Sequence, residues 1–149
     1  MATPSALHTL IDLANKETDE AAKRLGAAQR VCEEADQKLD LLLQYRNDYA
    51  LRCQSNMASG ISATHFHNFQ VFMQKLDHAI AGQQKVVGDA RHRAEQARIA
   101  WLACEQKKMS FVTLAGRADK ENARRELWRD QKQNDEHATR RALHKPNHS

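Results

Sequence analysis

Small and apolar residues recur along this chain in alternating steps of four and three, and they do so in two long runs. The first reads Leu7, Ile11, Ala14, Thr18, Ala21, Leu25, Ala28, Cys32, Ala35, Leu39, Leu42, Arg46, Tyr49 and Cys53. The second reads Phe69, Met73, Leu76, Ile80, Gln83, Val87, Ala90, Ala94, Ala97, Trp101, Cys104, Lys108, Phe111, Ala115 and Ala118. A repeat of about 3.5 residues keeps one face of a helix against a partner in a left-handed supercoil. The stretch between the runs, residues 55–64, contains Gly60 and little that belongs to either. The pattern predicts an all-α fold: a long antiparallel two-helix coiled-coil hairpin with a polar helical C-terminal extension.

Composition agrees. Aromatic residues make up 5% of the chain and charged residues 28%, with two prolines and five glycines. That mixture does not fill a broad globular core, but it suits an elongated helical pair. The net charge of +4 comes from interleaved charges of both signs, which read as solvated helix faces and not as a nucleic-acid footprint. Cys32, Cys53 and Cys104 all fall in the seam, where cysteine acts as a small hydrophobe. An odd, widely spaced set gives no disulfide framework and fits a reducing compartment. No basic start with an apolar run marks a cleavable signal, and no segment has the length needed to span a bilayer. The expected location is cytoplasmic, peripheral to a membrane only through a partner.

One domain, 1–149, is expected. Helix one should run over about 4–56, with Thr3 as cap and Pro4 in the first turn, where its missing N–H costs nothing. At 1.5 Å per residue that is about 80 Å. The turn should occupy about 57–63, with Gly60 as terminator and Ser62 or Thr64 as the next cap. Helix two should run over about 64–143, leaving 144–149 disordered around Pro146. Gly26, Gly82 and Gly88 lie inside the helices as tolerated costs. A short turn makes the helices antiparallel. Level residues then add to roughly 118–120, which sets Tyr45 beside Phe72, Leu42 beside Leu76, and Trp101 beside Thr18.

That register leaves everything beyond Gly116 without a partner. The segment from Arg117 to about Leu143 is rich in helix formers and polar on nearly every face; such a helix bridges solvent or awaits a partner. Leu127 and Trp128 are its large apolar groups, and a Trp in a charged helix is a contact anchor. Near the bend the reverse holds. Leu42, Tyr45 and Tyr49 on helix one, with Phe72, Leu76 and Ala79 on helix two, form two stripes that meet as one aromatic and apolar surface. Such patches mark protein contacts or self-association.

Catalytic signatures are missing. There is no GxxxxGK[S/T] loop, no Gly-x-Ser-x-Gly elbow and no Cys-x-x-Cys pair. His65 and His67 are two apart and point to different faces of a helix, whereas chelation on a helix wants a spacing of four. His137, His144 and His148 are scattered. A two-helix rod offers no desolvated cleft to tune an acid or base. No enzyme, cofactor or metal site is expected.

Certain residues resemble a known family. Leu7, Leu10, Ile11, Leu13 and Ala14, then Asp19 to Ala22, then Leu42, Tyr45, Arg46 and Tyr49, are similar to the flagellar export protein FliJ family. So are Gly60, the run Asn68, Phe69, Gln70 and Phe72, the run Leu76, Asp77, Ala79 and Ile80, and Gln83 or Gln84. The resemblance covers about residues 7–115. It implies a non-enzymatic stalk and adaptor of flagellar type III protein export, shaped like the central stalk of rotary ATPases. Implied partners are the hexameric export ATPase, the membrane export gate through its linker and cytoplasmic region, and export chaperones, with no nucleic acid and no insertion into the membrane. The implied gate-binding residues are Leu42, Tyr45, Tyr49, Phe72, Leu76, Ala79 and Gln83. A further family glutamine falls at Gln37 or at Lys38, and at Lys38 the chain departs from the pattern. Leu127 and Trp128 of the polar tail are the expected contacts to the ATPase ring. The alternatives are the stalk of a virulence-type secretion system, or a basic coiled coil that binds nucleic acid.

Overall fold

The structure is a computed structural model that describes residues 4–144. It holds two helices, α1 at Pro4–Ser59 and α2 at Ala63–His144, packed against each other as an all-α hairpin. Thr3, Pro146 and His148 lie outside the described residues.

Both helices are longer than their sequence limits. Met57–Ser59 continue α1, because nothing before Gly60 opposes a helix; the Ser59 hydroxyl donates back to the Ser55 carbonyl at 3.1 Å. The turn therefore shrinks from 57–63 to three residues, 60–62. Gly60 has φ +84°, the left-handed conformation that ends a helix and that glycine adopts at no steric cost. Its N–H donates to the Met57 carbonyl at 3.2 Å. Ser62, not Thr64, caps α2. Its Oγ accepts from the His65 N–H at 3.2 Å, a serine N-cap, and also lies 2.7 Å from the His65 ring Nδ1, so the same hydroxyl bonds the histidine side chain. At the other end the helix reaches His144, one residue past the expected limit.

The seam explains the packing. Every position of the two runs is buried or half-buried except Arg46. Leu7, Ala14, Thr18, Ala21, Ala35 and Cys53 are buried on α1; Leu76, Ile80, Gln83, Val87 and Ala90 on α2. The core is narrow, since two helices can screen only one stripe each. Small residues dominate it, which lets backbones approach closely. Arg46 keeps its seam position by reaching outward to Asp77, with which it makes a short charge-assisted bond.

The chain falls into two compact units. One comprises Thr18–Cys104, the bend with its two flanking helical arms. Its centre is a cluster of Ala35, Val87 and Ala90, with Cys32 and Leu39 packed on it. The other comprises Met1–Glu17 and Glu105–Ser149. There Lys107 pairs with Glu17 at 3.5 Å, and Lys108 with Glu105 at 3.2 Å. Half-burial ends at Ala118; positions 119–144 are exposed without exception.

Candidate partner-binding surfaces

Four rings from both helices meet beside the bend. Tyr49 stacks flat on Phe69, with centroids 4.9 Å apart and planes within 1°. Phe72 tilts against Tyr49 at 4.4 Å and against Tyr45 at 6.5 Å. Aromatic pairs in these geometries gain beyond simple area burial. The hairpin register produces this cluster, since an antiparallel bend at Gly60 brings position 49 level with 69–72. Tyr49 and Phe69 are half-buried by the stack. Tyr45 and Phe72 remain open, at 58% and 36% exposure; Leu41, Leu43, Leu51 and Val71 are further exposed apolar groups of the same two arms. Tyr49, Phe69 and Ile61 also line a small cleft at the bend together with Arg52 and His65.

The seven residues tied to the gate by resemblance separate into two sets. Tyr45, Phe72 and Ala79 are exposed, and Leu42 and Tyr49 are half-buried beside them. Leu76 and Gln83 lie between the helices, at 7% and 8% exposure. The Gln83 amide donates to the Ala35 carbonyl at 3.0 Å. These two residues belong to the seam between the helices and do not present a free side chain. Phe69 belongs to the cluster although the seven do not include it. Its signal in the sequence is its level position opposite Tyr49.

The tail offers a second surface. Leu127 and Trp128 are 69% and 64% exposed. Lys132 Nζ lies 5.4 Å from the Trp128 ring centroid, one helical turn on, where a cation is attracted to the ring face. Glu121, Arg124 and Arg125 line a shallow surface with Trp128, and Arg125 pairs with Glu121 at 3.0 Å. An indole held between charges on an unpartnered helix can bury its apolar face only against another molecule.

Electrostatic perturbation is slight. Glu95 is held below the usual carboxylate range, first by its hydrogen bonds from Arg98 at 2.7 and 3.0 Å, and Arg98 is correspondingly raised. Both are exposed, so the pair is a surface feature. Among the described residues no group of three or more His, Cys, Asp or Glu side chains could hold a metal ion. No described helix is long and apolar enough to cross a membrane.

Comparison with known proteins gives a consistent result. The family described as Flagellar FliJ protein matches residues 4–147. The Flagellar FliJ protein of Escherichia coli (strain K12) is 35% identical over 146 residues, covering 98% of this chain and 99% of that protein. The Flagellar FliJ protein of Salmonella typhi is similar to the same degree, 35% over 146 residues with the same coverage.

Proposed function

Since the chain belongs to the flagellar FliJ protein family and is on that ground a component of flagellar protein export, we propose that it serves there as a non-enzymatic stalk and adaptor. In this reading the patch formed by Tyr45, Tyr49, Phe69 and Phe72 binds the cytoplasmic region and linker of the membrane export gate. The tail, with Leu127 and Trp128, engages the ring of the hexameric export ATPase. Export chaperones are further partners. The protein is cytoplasmic, and peripheral to the inner membrane through the export apparatus.

The observation that carries the reading is the pair Tyr45 and Phe72. Two rings at 6.5 Å from different helices stand open to solvent, while Tyr49 and Phe69 beside them are half-buried by their stack. Exposed aromatic anchors of this kind dominate the energetics of protein contacts. The tail supports the second contact, because a 26-residue exposed helical stretch, 119–144, has no role in closing the hairpin. Paired helices are stiff along their axis, which suits a part that links two larger bodies.

The test is a calorimetric titration of the chain with the purified cytoplasmic region of the export gate. Tyr45→Ala with Phe72→Ala should weaken binding by tenfold or more, on the order of 1.4 kcal/mol or above, while circular dichroism stays unchanged. Unaltered affinity would remove the patch from the gate contact. Absence of binding by the unmodified chain would remove the gate from the reading altogether.

A further inference from the structure

The heptad repeat gives the Thr18–Cys104 unit two flanks, and they differ in construction. One is closed by ion pairs between the helices, Asp36 with Arg91 at 3.2 Å and Arg46 with Asp77. The opposite flank carries Tyr45 and Phe72. Two heptads away from the bend, a step of 14 residues leads from Tyr45 to Val31 on α1 and from Phe72 to Val86 on α2. An interval of whole heptads returns to the same side of a coiled coil, so both pairs share one flank. The structure agrees: Val31 and Val86 line one shallow groove of about 310 Å³ with Ala28, Ala90, Asp89 and Arg93. Both valines are about half exposed, at 51% and 49%.

The same repeat assigns the charges. On α1, Arg24, Lys38 and Arg52 fall at intervals of seven from Val31; on α2, Arg93 falls seven beyond Val86. No carboxylate occupies either series within this unit. Among the described residues, Lys38, Arg52 and Arg93 make no ion pair, and Arg24 has its own-helix neighbour Glu20 at 3.7 Å. Asp89 is the one carboxylate lining the groove. The flank is thus two apolar stations set among cations.

We infer that this flank docks an acidic amphipathic helix of a partner protein, gripping it at both stations. The stations are about 21 Å apart at 1.5 Å per residue. An apolar side chain would sit on Tyr45 and Phe72 and a second between Val31 and Val86; one carboxylate between them would meet Lys38, and another, one heptad beyond the second, would meet Arg93. Charge disfavours a second copy of this chain, which would set Lys38 and Arg93 against their own kind. Nucleic acid would satisfy the cations and leave both apolar stations uncovered. The inference extends the surface read above as the gate contact, and rests on that reading only in taking Tyr45 and Phe72 as a contact.

The experiment uses the full chain and a fluorescein-labelled helical peptide of about 25 residues, long enough to span both stations. The peptide bears leucines 14 positions apart and glutamates on the same face, between the leucines opposite Lys38 and one heptad beyond the second opposite Arg93. Anisotropy should report binding, weakened about tenfold by Arg93→Glu and about tenfold by Val86→Asp, and lost when lysines replace the glutamates. Arg93 is exposed, so Arg93→Glu tests the charge without risk to the fold. Circular dichroism checks Val86→Asp. The inference is overturned by no peptide binding, by equal binding of the lysine peptide, or by indifference to Arg93→Glu. Displacement of the peptide by an arbitrary DNA duplex whose own binding ignores Val86→Asp would overturn it in favour of nucleic acid. A sedimenting dimer that Val86→Asp converts to monomer would overturn it in favour of self-association. The gate protein takes no part in this assay, so failure of the gate titration and failure of this inference are read separately.

Discussion

The side-chain amide of Gln83 crosses the hairpin and donates to the main-chain carbonyl of Ala35 at 3.0 Å. The Ala35 carbonyl lies inside α1 and uses its second lone pair for this bond. Both residues sit in the buried seam, at 8% and 6% exposure. A single polar group in such a seam fixes register, because any slip of one helix past the other would strand it.

Gln83→Ala should therefore cost about 1 to 2 kcal/mol, from the lost hydrogen bond and the emptied contact. Gln83→Leu should hold or raise stability, since an apolar side chain of similar volume removes the desolvation cost of the amide. Urea unfolding followed by circular dichroism gives both values. Equal losses in the two variants would show that the amide contributes more than register.

Leu76 and Phe72 should behave differently although only one helical turn separates them. Leu76→Ala should cost about 2 to 3 kcal/mol, as large-to-small changes in buried seams do. Phe72 is 36% exposed, and Phe72→Ala should cost about 1 kcal/mol, from its contacts with Tyr49 and Tyr45. Thermal melts of the single variants decide this. Any binding defect of Leu76→Ala mixes recognition with folding, which is why the gate titration pairs Phe72 with Tyr45.

Gly82→Ala and Gly88→Ala should each stabilise the protein by about 0.5 to 1 kcal/mol. Both positions are helical, and an added Cβ would meet no atom within 4 Å at either. An unchanged urea midpoint in both variants would contradict the prediction.

Truncation after Ala118 should leave the unfolding free energy within about 0.5 kcal/mol of the full chain, because positions 119–144 are exposed throughout. Helical signal should fall with the residues removed. A large loss of stability would mean that the tail folds back in solution.

The Glu95 carboxyl should titrate below the ordinary glutamate range, and Arg98→Gln should return it there. The sign follows from the hydrogen bonds: Arg98 favours the ionised form. Whatever the pair contributes is present above the unfolded pKa of the glutamate and lost as pH falls through the lowered folded value. Exposure keeps that contribution small. Carboxyl chemical shifts in an NMR titration of the two proteins provide the check.

The hairpin itself was legible because its period is written in residue identity. A step pattern from Leu7 to Cys53 and from Phe69 to Ala118 admits one reading, and the single break contains the glycine that takes the positive φ. Side-chain destinations were less legible. Gln83 looks like a surface contact by resemblance and like a seam residue by spacing, and the structure sides with the spacing. Arg46 occupies a seam position yet leaves it, because a guanidinium on a long stem can reach Asp77 at the edge. The Ser62 cap was only half visible: serine announced a cap, but so did Thr64, and the contact of the His65 ring with the Ser62 hydroxyl carries no sequence signature. Pairings such as Asp36 with Arg91 depend on rotamers and exact register, which periodicity leaves open.

The three-residue turn at Gly60 has a consequence for how the chain assembles. Closing a loop costs entropy that grows with its length, so the contacts nearest the bend are the cheapest to make first. Tyr49 stacking on Phe69 closes one of the shortest loops available. The stacked pair beside the open Tyr45 and Phe72 is therefore also the clasp from which the two arms begin to zip.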